Sequence, residues 1–214
     1  MNLPDDVSDE LGACLGIPGI TAHRAVFGDG PVSDATVLVH GVLGGVGALA
    51  GQLAKWGGAT VIGTVRHAID RPRSGATAID HVVTLDAADP VGDVRRLAPA
   101  GVDRIIEVAF SDNVELDAAV AKIGTVIAAY ATRDDRSAFP FWPMLFDNVT
   151  IRLLGSDDFP VSAKQLAATD LTAAAGSGAL SVPVGEPFPL ERLAEAHECV
   201  DAGTRSRVIV AIDE

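Results

Sequence analysis

A glycine-rich run at residues 40–47 is the part of the chain best suited to bind a ligand for chemistry. It reads His-Gly-Val-Leu-Gly-Gly-Val-Gly and joins a β-branched segment at 36–40 to an amphipathic stretch at 45–56. The first backbone N–H groups of a helix have no acceptors within the helix, and the helix dipole favours negative charge there. A strand, a glycine turn and a helix in this order therefore predict a site for a diphosphate group.

The glycines of this run have separate predicted tasks. Gly44 and Gly45 let the backbone approach a ligand with no Cβ in the way. Gly47 allows the helix to pack closely on the preceding strand. The alternative interpretation is a glycine turn that only connects a strand to a helix.

Other ligands of glycine-rich loops fit the sequence less well. The spacing also matches short-chain dehydrogenases, but these need a Tyr-x-x-x-Lys pair for proton transfer, and the single tyrosine, Tyr130, is followed four residues later by Asp134. A phosphate loop of the Gly-Lys-Ser/Thr type is excluded because Ala48 follows the last glycine. Flavin and methyl-donor sites usually have an acid at the end of the second strand, and none occurs here before Asp70.

The end of the second predicted strand bears on the choice between NAD(H) and NADP(H). An acid about 20 residues past the glycine loop selects NAD(H), whereas a basic or hydroxyl residue accommodates a 2′-phosphate. Thr64 and Arg66 stand at that position, with Arg71 and Arg73 nearby. We therefore predict NADP(H) as the cofactor, the alternative being that these arginines lie on a solvated loop.

The elements that must position this loop follow from the hydrophobic pattern. Short apolar runs predict strands at 36–40, 59–65, 81–85, 102–108, 124–130 and 149–154. Between and after them lie helical stretches at 45–56, 89–97, 112–122 and 163–175. Apolar strands alternating with helices are typical of a parallel sheet covered on both faces. The predicted fold class is α/β, a doubly wound parallel sheet (Rossmann fold) with flanking remnants of a second domain.

Two flanks do not belong to this series. Residues 3–27 predict one or two short helices broken at Pro18-Gly19, and residues 182–214 predict a strand, a helix at 190–202 and a strand at 207–212. His40 is interpreted as a packed residue at a strand end rather than an acid–base group.

Composition and charge narrow the classes of partner. The 214 residues carry 16 basic and 29 acidic side chains, a net charge of −13, which disfavours nucleic acid and membrane surfaces as partners. Two cysteines make neither a disulfide framework nor a zinc ribbon. The acidic N-terminus is unlike a targeting signal, and no apolar run reaches the roughly 18 residues of a membrane helix. We therefore expect a cytoplasmic protein.

Motifs outside the loop complete a resemblance to a known family. These are residues 16–22 (GIPGITA), 37–41, 44–47, 80–83, 101–107, 148–155 and 189–198. Together with the loop, they resemble zinc-independent medium-chain dehydrogenases/reductases of the quinone oxidoreductase, or zeta-crystallin-like, branch. The resemblance implies NADPH-dependent hydride transfer to a quinone or enone-like small molecule, without a metal.

The resemblance also implies roles for individual residues. Gly44, Gly45 and Val46 would meet the pyrophosphate, and Thr64 to Arg66 the 2′-phosphate. Ala109 and Tyr130, after later strands, would line the cofactor path. Val42 and Leu43 stand where the family has smaller residues, which would narrow the loop, and Leu85 replaces a tyrosine that packs on adenine in many relatives. No side chain has a specific claim to be catalytic, so the catalytic residues stay unknown.

The resemblance implies an organisation and a set of partners. Residues 1–30 correspond to linking helices, 31–181 to the dinucleotide-binding domain, and 182–214 to a segment that in the family packs on an N-terminal catalytic domain, which the sequence lacks. We expect a homodimer through the edge strand at 149–154, as in relatives, and consider a separate chain that carries the catalytic domain. The alternative function is a degenerate nucleotide-binding or interaction module that turns over no substrate alone.

Overall fold

The central element is a parallel sheet of six strands. The structure, a computed structural model, describes residues 3–71, 79–204 and 206–212. The strands are β1 (Thr36–Val39), β2 (Thr60–Val65), β3 (His81–Thr84), β4 (Val102–Glu107), β5 (Ala121–Ala129) and β6 (Thr150–Leu153). Their order across the sheet is β3-β2-β1-β4-β5-β6, and all neighbours are parallel. This confirms the predicted doubly wound fold, whose strand order reverses between β1 and β4.

Helices cover both faces of the sheet. They are α1 (Asp9–Cys14), α2 (Ile17–Phe27), α3 (Gly45–Trp56), α4 (Pro90–Leu97), α5 (Phe110–Val120), α6 (Phe141–Phe146), α7 (Val161–Gly176) and α8 (Leu193–Asp201). None of the helices in the described ranges is long and apolar enough to cross a membrane.

The alternation of side chains along β1 divides the interior into two cores. Val37 and Val39 point into a core shared with α2, α3 and α7, whereas Leu38 points into a core shared with α4, α5 and α6. Because successive strand residues face opposite sides of a sheet, an unbroken apolar strand needs a cover on both faces. The apolar run at 36–39 has this cover.

The helix that follows the glycine loop buries the stripe predicted from its spacing. Leu49, Ala50, Leu53 and Ala54 are fully or almost fully buried against the sheet. On the same helix the Gln52 amide donates to the Ser181 carbonyl at 3.0 Å and accepts from the Ser181 N–H at 2.6 Å. These two bonds fasten the start of the C-terminal segment to α3, close to the loop.

The N-terminal flank corrects one prediction. Pro18 and Gly19 do not break a helix; they lie in α2, which begins at Ile17 after the cap residue Gly16. Proline is tolerated in the first turn because the N–H it lacks has no acceptor within the helix there. The break falls at residues 15–16 instead, between α1 and α2.

The C-terminal flank has the predicted order of elements with shorter strands. Phe188–Pro189 (β7) and Val210–Ala211 (β8) pair in parallel, with α8 between them. The strand predicted at 207–212 is therefore shortened, and the strand expected from residue 182 is reduced to β7 and a single bridge between Val184 and Arg207. The division of the chain into linking, dinucleotide-binding and C-terminal parts stays a prediction.

Candidate functional site

A cavity of about 770 Å³ opens at the carboxyl ends of the strands, above the point where the strand order reverses. Open α/β sheets bind their ligands at this point. The cavity is lined by seven of the predicted site residues, which are Gly44, Gly45, Val46, Thr64, Arg66, Ala109 and Tyr130. The fold therefore brings together residues from four separate segments. Their contacts with a cofactor stay predictions.

The glycine loop has a conformation that only small residues allow. Gly41 has a φ of +64°, in the left-handed region that disfavours a side chain. Its carbonyl oxygen accepts the N–H of Gly44 at 2.8 Å. A Cβ at Gly47 would overlap that same carbonyl oxygen, so the first turn of α3 can lie against the loop only with glycine there.

The N-terminus of α3 has no side-chain cap. The cap residue Gly44 has no side chain to accept a hydrogen bond from the helix, and its carbonyl accepts the first helical bond, from Ala48 N–H at 2.9 Å. Helix geometry leaves the N–H groups of Gly45, Val46 and Gly47 without acceptors in the helix. Gly47 itself is buried, while Gly44 is exposed.

Arg207 is the residue of this site that sequence reasoning missed. It lines the same cavity although it belongs to the C-terminal segment. Its guanidinium lies directly over Gly45, where a Cβ at that position would overlap it. A signal was available in the sequence, since Arg207 is a basic residue in an acidic chain, but only the fold places it at the start of α3.

The charges around the cavity are mixed. Arg66, Arg133 and Arg207 line it together with Asp70 and Asp112. Arg133 pairs with Asp112 at 3.1 Å, and both side chains are exposed. In a chain with a net charge of −13, this lining has three arginines against two aspartates.

One other arginine of the predicted cluster, Arg71, does not join this cavity. Arg71 lines a different depression with Asp80 and Arg96, and its guanidinium donates to the Val82 carbonyl at 2.6 Å. The structure thus places Arg71 away from the other predicted site residues, because the turn after β2 directs it toward β3. Arg73 lies outside the described residues.

Thr64 is part of the support beneath the loop. Its side chain is fully buried, and its hydroxyl oxygen accepts the Gly41 N–H at 3.3 Å. The same oxygen lies 3.0 Å from Nδ1 of His40. The hydroxyl of Thr64 is thus already hydrogen-bonded to the glycine loop. A contact between Thr64 and a 2′-phosphate stays a prediction.

The bulky loop residues have different positions. Val42 is fully buried in the core, where it packs over Gly63. Leu43 is half-buried and lines the cavity together with Leu85. Leu43 is therefore the loop side chain that narrows the space for a ligand.

Buried or half-buried ionisable side chains lie beneath the cavity, and two of them, His40 and Tyr130, also line it. His40 is packed at the end of β1 as predicted, but it is also hydrogen-bonded to Asp117 at 2.9 Å and lies 3.6 Å from Glu107. Burial, opposed by the His40 charge and reinforced by that of Asp117, raises the pKa of Glu107 to about 7. Burial and the charge of Glu107 raise the pKa of Tyr130, so that phenol stays protonated at neutral pH.

The fold and the cavity define an α/β domain of the Rossmann type with a glycine-rich loop at its switch point. Residues 45–168 match the family model described as zinc-binding dehydrogenase. The match covers more than half of the chain, and the chain therefore belongs to the zinc-binding dehydrogenase family.

Curated relatives are similar along almost the whole chain. A quinone oxidoreductase from Pongo abelii is 29% identical over 206 residues, and one from Mus musculus is 30% identical over 210. Each alignment covers 94% of this chain and 62% of the relative, so the chain spans less than two thirds of their length. These relatives are oxidoreductases, which confirms the resemblance to the quinone oxidoreductase branch.

Solved structures share the fold. The native structure of a mycobacterial quinone oxidoreductase has a TM-score of 0.88 and 27% identity, covering 99% of this chain and 67% of that one. A mycobacterial structure complexed with NADPH has a TM-score of 0.81 at 27% identity, with the same coverage. A 2-haloacrylate reductase, at 23% identity, has a TM-score of 0.87 over 100% of this chain and 70% of that one, and shows the fold alone.

Proposed function

We propose that this chain binds NADPH and is the dinucleotide-binding part of an oxidoreductase that reduces quinones or enone-like carbonyls. The observation that carries the proposal is the position of Arg207 against Gly45 at the N-terminus of α3. A guanidinium and the positive end of a helix dipole repel each other unless an anion binds both. A diphosphate supplies such an anion, with oxygens for the amides and for the guanidinium.

The residues of the cavity fit the rest of this cofactor. The amides of Gly45, Val46 and Gly47 would hold the diphosphate together with Arg207. A Cβ at Gly45 would overlap the Arg207 guanidinium, so only glycine there lets the guanidinium lie beside these amides. Arg66 at the end of β2 would bind the 2′-phosphate, which is the reason to favour NADPH over NADH.

The other wall would hold the reactive end. Ala109 and Tyr130 follow β4 and β5 and line the same cavity. When bound, NADPH supplies a hydride to the substrate carbon. The chain's own task in such a reaction is to fix the orientation of the cofactor and to exclude water.

The relatives support the choice of reaction. The similarity to quinone oxidoreductases extends over 94% of the chain, and the structure complexed with NADPH is 27% identical in an alignment that covers 99% of this chain. Hydride transfer to a small quinone or enone-like molecule is the activity that this similarity favours. A cytoplasmic location and a reaction without a metal stay predictions.

A second candidate is a nucleotide-binding module with no turnover of its own. It is favoured by two polar side chains of the cavity. Tyr130, with its raised pKa, is a poor proton donor, and Asp112 at the rim is paired with Arg133. Binding of NADPH is common to both candidates, and only turnover separates them.

Fluorescence titration of the chain with NADPH and NADH, followed by assays with quinones and enones, tests the proposal. We expect saturable binding with a preference for NADPH, and oxidation of NADPH only when an acceptor is added. Binding without turnover would favour the module. Failure to bind either nucleotide would refute both candidates.

Arg66→Ala tests the 2′-phosphate site separately. The variant should weaken NADPH binding about tenfold, the order expected for a lost charge-assisted contact, and leave NADH binding unchanged. Equal affinities of the variant and the parent chain for both nucleotides would show that Arg66 does not bind the 2′-phosphate.

We also propose that two copies associate through β6. In the described residues this strand pairs with β5 on one side, and Leu153 on it is 77% exposed. Trp142 and Phe146 on the neighbouring α6 are stacked on each other and mostly exposed. An apolar edge strand pairs readily with its own copy about a twofold axis, which extends the sheet and covers these rings.

A separate catalytic-domain chain stays a prediction. The surface that it would cover includes the exposed residues Ile17, Leu190, Val200 and Ile212 on the linking helices and the C-terminal segment. Restoration of quinone reduction by an added catalytic domain of a relative would support it. Turnover by this chain alone at the rate of full-length relatives would contradict it.

A further inference from the structure

Three ionisable side chains beneath the glycine loop have no part in the function proposed above. His40 follows β1, Glu107 ends β4, and Asp117 lies in α5, and all three are 0% exposed. Nε2 of His40 lies 2.9 Å from Asp117 Oδ1 and 3.6 Å from Glu107 Oε2. We call these three residues the buried triad.

The triad is connected to two backbone segments of the cavity. On one side, Nδ1 of His40 contacts the Thr64 hydroxyl at 3.0 Å, and that hydroxyl accepts the Gly41 N–H of the glycine loop. On the other side, Oε1 of Glu107 accepts the N–H of Ala109, a predicted cofactor-lining residue. The triad thus fixes the start of the loop and the turn after β4, on opposite sides of the switch point.

Asn113 strengthens the second connection. Its side-chain amide donates to the same Glu107 oxygen at 3.1 Å, and Asn113 itself lines the cavity. A change in the charge or orientation of Glu107 therefore reaches the cavity wall directly through two hydrogen bonds.

The charge of the triad is set by its burial. Two ionised carboxylates beside one protonated imidazole ring would leave one uncompensated negative charge buried away from water, which is costly. Glu107 Oε2 and Asp117 Oδ2 are buried and have no hydrogen-bond partner among the described residues, so an additional proton has a place to reside.

The pKa directions agree with a shared proton. Burial lowers the pKa of His40, but the carboxylates of Asp117 and Glu107 outweigh it, so the pKa is raised overall. Burial raises that of Glu107 to about 7. The groups facing Glu107 are His40 after β1, Asp117 and Asn113 from α5, and Tyr130 after β5.

We propose that Glu107 is a positioning residue for the dinucleotide, which with His40 and Asp117 holds a shared proton beneath the loop. When the shared proton is bound, the imidazolium charge balances the one remaining carboxylate charge, so the triad is close to neutral. In this state it keeps the Gly41 and Ala109 amides in place for an anionic ligand. Loss of the proton puts a negative charge under the diphosphate and weakens its binding. This inference rests on the proposed binding of NADPH.

A divalent cation is the competing occupant of the same atoms. One nitrogen and two carboxylate oxygens within 4.8 Å of one another form a possible donor set. The direct bond of 2.9 Å between His40 and Asp117 favours a proton, because it occupies the ring nitrogen that a metal would need. Elemental analysis of the purified chain and of His40→Asn distinguishes the two. Stoichiometric metal that is lost in the variant would overturn the proposal.

The test compares the pH dependence of NADPH affinity in the parent chain and in Glu107→Gln. Glutamine keeps the carbonyl acceptor for Ala109 and Asn113 but cannot ionise. Between about pH 6 and pH 8 the parent should lose about five- to tenfold more affinity than the variant, as expected for one charge acting across a polar cleft. The 2′-phosphate, whose second pKa is about 6, titrates alike with both proteins and so cancels.

Glu115→Gln is the matched control. Glu115 lies on the same helix as Asp117 but is exposed, and its variant should follow the parent profile. Parallel profiles of the parent chain and Glu107→Gln would overturn the positioning role. Asp117→Asn, expected to flatten the profile in the same way, serves if Glu107→Gln does not fold.

Nitrogen chemical shifts of His40 in the ligand-free chain separate this inference from the proposed function. We expect a doubly protonated ring at neutral pH in the parent chain and a lower midpoint in Glu107→Gln. A neutral ring at pH 6 in the parent would overturn the shared proton. Absence of NADPH binding at every pH would refute the proposed function, and the positioning role with it, whatever the shifts show.

Discussion

The folded chain should lose stability as the pH rises toward neutrality. Replacing Glu107 with Gln should abolish most of that pH-dependent loss. Burial raises the pKa of Glu107 from 4.5 to about 7. A carboxyl group with a raised pKa binds its proton more tightly in the folded than in the unfolded chain. The contribution of Glu107 to the free energy of unfolding is therefore fully present below pH 4.5, and it is lost as the pH rises through 7.

The size of the effect follows from the shift. At roughly 1.4 kcal/mol per pH unit, the rise of the Glu107 pKa corresponds to about 3 kcal/mol of unfolding free energy. His40 adds in the same direction, because its pKa is raised and its stabilisation also falls as the pH rises. Glu107 and His40 titrate together. The difference in unfolding free energy between the parent chain and the variant therefore measures the titration of the pair and not of Glu107 alone.

Urea unfolding at a series of pH values measures this difference. Asp29 and Asp80 have lowered pKa values, so their stabilisation is present above 3.8 and does not change in the range of interest. The parent chain should lose stability from about pH 5 to pH 8. Glu107→Gln should lose markedly less, because only the His40–Asp117 pair still titrates there, and Glu115→Gln should behave as the parent does. Equal slopes in the parent and Glu107→Gln would refute the reasoning.

Three further predictions concern the loop, the cavity and the sheet edge. Gly47→Ala should lower stability by about 2 kcal/mol and weaken NADPH binding, because its Cβ would overlap the backbone of the loop. Gly155→Ala, with open space around the added Cβ, should leave both the unfolding free energy and the NADPH affinity unchanged. Chemical unfolding and NADPH titration measure the two quantities. Arg207→Gln should weaken NADPH and NADH binding to similar extents, about tenfold in calorimetric titrations, because both nucleotides carry the diphosphate. Weaker binding of NADPH alone would contradict a contact between Arg207 and the diphosphate. Leu153→Lys should shift the chain from dimer to monomer in light scattering, and an unchanged mass would exclude association through β6.

Periodicity predicted most of the fold. The helix after the loop begins and ends at the predicted residues 45 and 56, and the strands lie within a few residues of their predicted bounds. These elements were predictable because each buries an apolar stripe or run that is visible in the sequence. Pro18 misled the prediction because proline breaks a helix interior but suits its first turn.

The parts of the site that depend on long-range contacts could not be predicted. Arg207 reaches Gly45 from a distant segment, whose start Gln52 fastens to α3 at Ser181. No local pattern in the sequence indicates either contact.

The buried triad was hidden for a similar reason. His40 and Asp117 are separated by 77 positions, and each alone is typical of a strand end or a helix surface. Only the pairing of β1 with β4, and the packing of α5 against them, brings the three side chains together. Prediction from spacing therefore found the glycine loop but not the support beneath it.

The binding of a diphosphate by the first amides of α3 is the central claim, and amide chemical shifts test it most directly. In a titration of the ¹⁵N-labelled chain with NADPH, the N–H signals of Gly45, Val46 and Gly47 should move most, and they should saturate together with the nicotinamide fluorescence. Saturable NADPH binding that leaves these three signals in place, or no binding at all, would contradict the account.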